Sequence, residues 1–294
     1  MPKTIADIAK ELFAEKPTKP LYHYTSLAGL QGIIDSRSLR VSDIRFFNDA
    51  AEVSYASGRL RDVMRGVGTT SFKGALIAAL MEGTPFLDFV DWLPKRLQDA
   101  AGVYVGSFTE EGNLLSQWRG YCPPSKGVSL GFKGDLLLES AQQQRFAIGK
   151  CIYDKTRQDA LLLDVADALR DIAPPDLQNE EFTYLSAMIE ADVLQILALL
   201  KHPSFAEEQE WRVVSPVHTS YVEPPIKYRE GKSMLIPYLE FNLPVTADGA
   251  VALKHVYLGP TPHVNLSLLS LSNCLAKAHV NPPISYCNIP LRES

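Results

Sequence analysis

Apolar positions along this chain recur at helical spacing in some windows and alternate in others, and these two periods mark out its elements. Over residues 4–15, Ile5, Ile8, Leu12 and Phe13 share one helical face, and Pro17 to Pro20 separate this short amphipathic helix from a first strand. That strand, Leu21-Tyr22-His23-Tyr24-Thr25-Ser26, runs directly into a helix over Leu27 to Asp35 with Leu27, Leu30, Ile33 and Ile34 on one face. Ser26 is the expected cap, because its hydroxyl can accept from a first-turn amide that has no helical partner. A strand over Ser38 to Ser42 follows, then a helix from about Ala50 to Arg65 with Asn48 or Asp49 as its cap. Two helical patterns within 71–98 are broken by Gly83 and Pro85, and Ala101 to Phe108 reads as a buried strand.

The middle of the chain predicts a short helix around Leu114 to Tyr121, a turn from Pro123 to Gly127, strands over Val128–Phe132 and 144–153, and long helices over 156–173 and 178–201. In the second long helix, Phe182, Leu185, Met188, Ile189, Val193, Ile196, Leu197 and Leu200 make a stripe too wide for a free surface helix, so it reads as core. From Glu210 the pattern turns β-rich: strands at 210–215, 225–229, 234–242 and 253–258, a helix at 263–277 and a closing strand near 284–288. Strands precede, interrupt and follow helices without regular βαβ alternation. The prediction is an α+β fold on a mixed, largely antiparallel sheet with inserted and flanking helices. Residues 1–19 read as a helical extension, and 20–294 as a single domain with helical insertions at about 50–98 and 155–202.

Composition narrows the function classes. The 294 residues, 46% hydrophobic and 21% charged, are ordinary for a globular protein and long enough for a substantial core. A net charge of −5 argues against a broadly basic nucleic-acid surface while leaving room for a local basic cleft. Cys122, Cys151, Cys274 and Cys287 form no C-x-x-C pair, and no histidines stand at ligand spacing, so buried reduced thiols and no metal are expected. The start Met1-Pro2-Lys3-Thr4 lacks an apolar signal region, and no stretch approaches the roughly eighteen apolar residues of a membrane helix. A cytoplasmic protein without a membrane partner is the expectation.

Two segments concentrate candidate chemistry. His23 sits near the end of a strand that leads into a helix, a junction where rigid backbone holds a side chain at an open loop. The acidic run Glu207-Glu208-Gln209-Glu210 precedes Trp211-Arg212-Val213-Val214. As a strand it would put Glu208 and Glu210 on one face, with one carboxylate ionised and the other raised in pKa or paired with Arg212. Asn48, Asp49 and Glu52 form a further polar cluster, for which capping is the plain explanation of the first two. Gly127-Val128-Ser129-Leu130-Gly131 matches the G-x-S-x-G pattern, but its serine lies inside an alternating run rather than between a strand and a helix, so a strand is expected and no nucleophile elbow. No glycine cluster has phosphate-loop spacing.

Taken together, Tyr22-His23-Tyr24-Thr25-Ser26, Asn48-Asp49 with Glu52, Ser107-Phe108-Thr109 with Trp118 and Tyr121, Lys126 to Phe132, Glu208 to Arg212, Ile236-Pro237-Tyr238, Leu258-Gly259-Pro260 and Ile289 to Arg292 resemble an uncharacterised bacterial family, domain of unknown function 2971. More distantly the chain resembles the ADP-ribosyltransferase superfamily. That second resemblance implies an ADP-ribosyltransferase-like sheet core. It assigns catalytic roles to His23, on the ribose of NAD, and to Glu210, whose carboxylate would stabilise the oxocarbenium-like transition state as nicotinamide leaves. Tyr22 or Tyr24 would stack on nicotinamide, and Ser107 or Thr109, where the chain reads Ser-Phe-Thr, would fill the middle motif beside Thr25.

The expected function is therefore cleavage of the nicotinamide–ribose bond of NAD, with ADP-ribose passed to a protein or nucleic-acid acceptor or to water, in a defence or toxin setting. His23 and Glu210 should then face one concave pocket containing Tyr22 or Tyr24. Two alternatives stand beside it. One is a non-catalytic nucleotide- or nucleic-acid-binding module; the other is a metal-dependent nuclease built on Asp49, Glu52, Glu208 and Glu210.

Overall fold

The computed structural model describes residues 3–46, 51–66, 102–172, 179–218, 220, 225–231 and 233–289, with backbone alone at 51–53 and 179–187. The patterns over 71–98 and the cluster residues Asn48 and Asp49 lie outside these residues, as does the side chain of Glu52. Strands β1 (Leu21–Ser26), β2 (Ser38–Asp43), β3 (Tyr104–Thr109), β4 (Gly127–Phe132), β5 (Ala147–Lys150), β6 (Glu210–Val214), β7 (Lys227–Glu230), β8 (Leu235–Asn242), β9 (His255–Leu258) and β10 (Ile284–Tyr286) join in one sheet. Its order is β10-β9-β4-β1-β3-β2-β8-β7, and β6 pairs with β3 and β5. Among the described residues the β9–β10 pair alone is parallel, so the sheet is mixed and mostly antiparallel within an α+β fold.

Helices cover both faces. Helices α1 (Ile5–Leu12), α3 (Ala51–Met64), α6 (Lys155–Ile172) and α7 (Asn179–Leu197) close one core, in which Ile8, Leu60, Leu169 and Val193 meet Val105 and Val214 of the sheet. On the opposite face α2 (Leu27–Ser36), α5 (Gly134–Gln143) and α8 (Val264–Lys277) pack Leu30, Leu137 and Leu275 against Leu39, Leu130, Trp211 and Val213. Helix α2 is capped as its sequence requires, with Ser26 Oγ accepting from the amide of Gly29 at 3.0 Å. It ends where Arg37 turns left-handed at φ 55° and delivers the chain into β2.

Four elements depart from the pattern. Helix α5 was not expected, because Leu136, Leu137 and Leu138 are consecutive and hide the spacing by which Leu137 and Ala141 reach the core. The helix expected over 178–201 stops at Leu197, and the strand expected over 144–153 is confined to β5. The acidic run is no strand at its start: Pro203–Glu208 is a 3-10 helix, and Gln209, at φ 42°, turns the chain so that the strand begins only at Glu210. Ser129 lies fully buried within β4 and forms no elbow. The four cysteines are free, but Cys122 and Cys274 are half-buried rather than buried. No described helix is long and apolar enough to cross a membrane.

The feature that positions the site is a split in the sheet. One edge of β3 is filled by β6 from Val105 to Thr109. The other edge is shared: β2 pairs at Tyr104 and Val105, and β1 at Thr109. Between them Gly106, Ser107 and Phe108 have no strand partner on that edge among the described residues. Helix α2 connects the two diverging strands, so its residues border the gap.

Candidate functional site

The nitrogen Nδ1 of His23 reaches into this split and lies 3.0 Å from the carbonyl of Ser107. A carbonyl only accepts, so Nδ1 carries the proton. Burial pushes the imidazole pKa down, opposed by that same hydrogen bond, and the ring is therefore the neutral Nδ1–H tautomer. Its Nε2 has no partner among the described residues and is not sealed from solvent. It presents an open acceptor lone pair.

A cavity of ≈ 40 Å³ sits beside it, walled by Tyr22, His23 and Tyr24 of β1 and by Ser107, Phe108 and Thr109 of β3. Gln117 and Tyr121 of α4 (Leu115–Tyr121) and the carboxylates Glu208 and Glu210 complete it. Ladder register puts Tyr22, Thr109 and Glu210 on one face of the sheet and His23, with Phe108, on the other. His23 and Glu210 thus come from opposite faces of the sheet, contrary to the expectation that adjoining strands present them from one face, although both line the same cavity at the split. An adjoining groove of ≈ 810 Å³ shares His23, Ser107 and Tyr121 with the pit and continues past Thr25, Gly29, Gly32, Arg40, Ser42 and Arg229.

The expected stacking tyrosines are already committed. Tyr24 donates to the carbonyl of Glu111 and accepts from the amide of Leu114, both at 2.8 Å, while its ring meets Trp118 edge-on at 4.7 Å. The ring of Tyr22 packs against Gly131, where an added Cβ would stand 2.6 Å from it, and against Tyr257. Tyr121, 40% exposed and shared by both cavities, is the ring best placed to stack on a ligand. Tyr121 belongs to the resemblance without a role there, and the sequence carries no signal for Gln117, Arg40 or Arg229.

Glu208 and Glu210 converge on a lysine that sequence reasoning missed. Nζ of Lys201, 1% exposed, lies 2.5 Å from Oε2 of each. Arg212 closes the group, donating from Nε to Glu210 Oε1 at 2.8 Å and from Nη2 to Oε2 at 3.2 Å. Burial alone would raise the Glu210 carboxyl, but the charges and hydrogen bonds of Arg212 and Lys201 outweigh it and hold its pKa at about 2. Of the two outcomes expected, a raised carboxyl or pairing with Arg212, Glu210 shows the pairing, and the expected repulsion is corrected because the two acids share Lys201. Lys201 Nζ thus bridges Glu208 and Glu210, the two acids of the metal alternative that lie within the described side chains.

This depression has a sign that can be measured. A carboxyl lowered from 4.5 to about 2 contributes stability in full above pH 4.5 and loses it as the pH falls through 2. Urea unfolding from pH 5 to 2 should show a shallower loss of stability for Glu210→Gln than for the native chain. Equal slopes would mean that Glu210 is not ion-paired in the folded state.

Residues 117–213 match the model of a protein family described as a protein of unknown function, DUF2971. This match supports the resemblance to that family. No curated protein and no solved structure matches the chain. The matched segment carries Gln117, Tyr121, Glu208 and Glu210, one wall of the pit, together with Lys201 and Arg212 that pair with these acids, whereas His23 and the groove arginines lie outside it.

Proposed function

We propose that the cleft binds NAD and cleaves its nicotinamide–ribose bond, passing ADP-ribose to a macromolecular acceptor or to water on an ADP-ribosyltransferase-like sheet. The observation that carries this reading is the meeting, in one pit, of an open imidazole acceptor and a carboxylate pair, continuous with a groove of ≈ 810 Å³. Such a groove falls within the roughly 300–1,000 Å³ of ordinary ligand sites. The pit, at ≈ 40 Å³, holds only a few waters and therefore takes ribose hydroxyls rather than a whole ring. Nicotinamide then lies at the mouth against Tyr121, and His23 Nε2 accepts from a ribose hydroxyl. The four charges of Lys201, Arg212, Glu208 and Glu210 cancel, so a developing cation gains chiefly by touching a carboxylate. Glu208, whose side chain is 14% exposed against 5% for Glu210, is the acid that can do so; Glu210 anchors Lys201 and Arg212.

A second reading, binding without cleavage, is favoured by one observation: both oxygens of Glu210 already accept from Lys201 and Arg212. His23→Asn tests the binding common to both readings, because an asparagine amide can keep the donation to Ser107 while the Nε2 acceptor is lost. Calorimetric titration with NAD should give affinity about tenfold weaker, the size of one lost hydrogen bond, with an unchanged melting temperature. Equal affinity would remove His23 from the site.

A further inference from the structure

Along the groove, away from the pit, β2, β8 and β7 run side by side. The register sets Arg40 opposite Glu240, Ser42 opposite Tyr238, Tyr238 opposite Lys227 and Ile236 opposite Arg229. Residues opposite one another, and alternate residues along a strand, share a face. Arg40, Ser42, Lys227, Arg229 and Glu240 therefore lie on one surface, with three cations against one carboxylate. Glu240 is engaged by Lys227 at 2.8 Å.

The two arginines have no carboxylate among the described residues. Arg229, half-buried, donates from Nη2 to Ser42 Oγ at 3.2 Å, and Arg40 lies over the ring of Tyr238 at 5.2 Å. Burial, then the neighbouring charge of Arg40, lowers the Arg229 pKa. Like charges held together at a cavity wall, with no counter-ion from the described residues, are costly, and an oxyanion would relieve that cost. Both arginines and Ser42 line the ≈ 810 Å³ groove.

We propose that Arg40, Arg229 and the Ser42 hydroxyl form a phosphate site, so that the ligand of this groove carries a phosphate or pyrophosphate group at this end. The site deepens the NAD reading, on which it rests for the identity of the whole ligand, since the pit and groove share His23, Ser107 and Tyr121. The planar guanidinium forks suit two oxygens of a pyrophosphate, and the serine hydroxyl, already accepting from Arg229, is left free to donate to a third.

The test is calorimetric titration of the full chain with ADP and with inorganic pyrophosphate, in native protein, Arg40→Gln, Arg229→Gln and Arg229→Lys. Native protein should bind both probes more weakly as salt rises. Each glutamine variant should lose about 10–100-fold in ADP affinity, the loss expected for one charge-assisted contact. Arg229→Lys, which keeps the charge and loses the fork, should fall between. Arg40 is exposed, so its variant guards against a folding defect at Arg229. Unchanged ADP affinity in both glutamine variants, or no binding of either probe by native protein, overturns the site. Nicotinamide release separates the two ideas: arginine-dependent ADP binding without release leaves the phosphate site standing and sinks cleavage. Release that is unaffected by Arg40→Gln and Arg229→Gln, with unchanged ADP affinity, does the reverse.

Discussion

Replacing Lys201 with methionine should cost about 3–5 kcal/mol of stability, because it leaves two carboxylates side by side in a buried site with one cation fewer. Lys201 is 1% exposed and bridges Glu208 and Glu210 at 2.5 Å to each. Methionine roughly conserves its volume, so the loss reports charge rather than a cavity. For a chain of this size the melting temperature should fall on the order of 10 °C. Adding Glu208→Gln should recover part of the loss, since one of the two stranded charges is then gone, and a double-mutant cycle measures that coupling. A loss below about 1 kcal/mol for Lys201→Met would mean that the four charges are not a structural unit.

The second large effect is catalytic. Glu208→Gln should reduce nicotinamide release by about 10²–10³, the usual consequence of losing one preorganised electrostatic partner at a developing charge. The same change should have little effect on melting temperature, because Glu210 still pairs with Lys201 and Arg212. Glu210→Gln should lower both rate and stability, since it leaves the buried Arg212 guanidinium without its bidentate acceptor. The two glutamine variants therefore differ in the ratio of these losses. If Glu208→Gln melts well below native protein while releasing nicotinamide at the native rate, the assignment is reversed and the acid is structural.

How much of this could be read from the chain depends on whether a feature is local. Ser26 and the strand before it were legible because a cap and its helix are neighbours in sequence. The strand start at Glu210 was legible from Trp211, Val213 and Val214, whose alternation follows at once. The split was not, because it arises from β1 and β2 competing for one edge of β3, and pairing partners leave no mark on a single strand's pattern. Lys201 was hidden for the same reason. It follows the apolar stripe directly in sequence, beyond the helix end at Leu197, and only the turn through Pro203–Glu208 brings the carboxylates to it. Arg40 and Arg229 are separated by most of the chain and become neighbours only through β8. Glu208 misled because the strand period was carried two residues too far. The left-handed Gln209 breaks that period, yet both acids still meet through their shared cation.

Cleavage of NAD by this cleft is measured most directly by chromatographic quantitation of nicotinamide released from NAD by purified native protein beside Glu208→Gln and His23→Asn. Native protein should release nicotinamide progressively, Glu208→Gln about 10²–10³ more slowly, and His23→Asn mainly with a raised KM. No release by native protein, with water or with an offered protein or nucleic-acid acceptor, would contradict cleavage, as would equal release by all three.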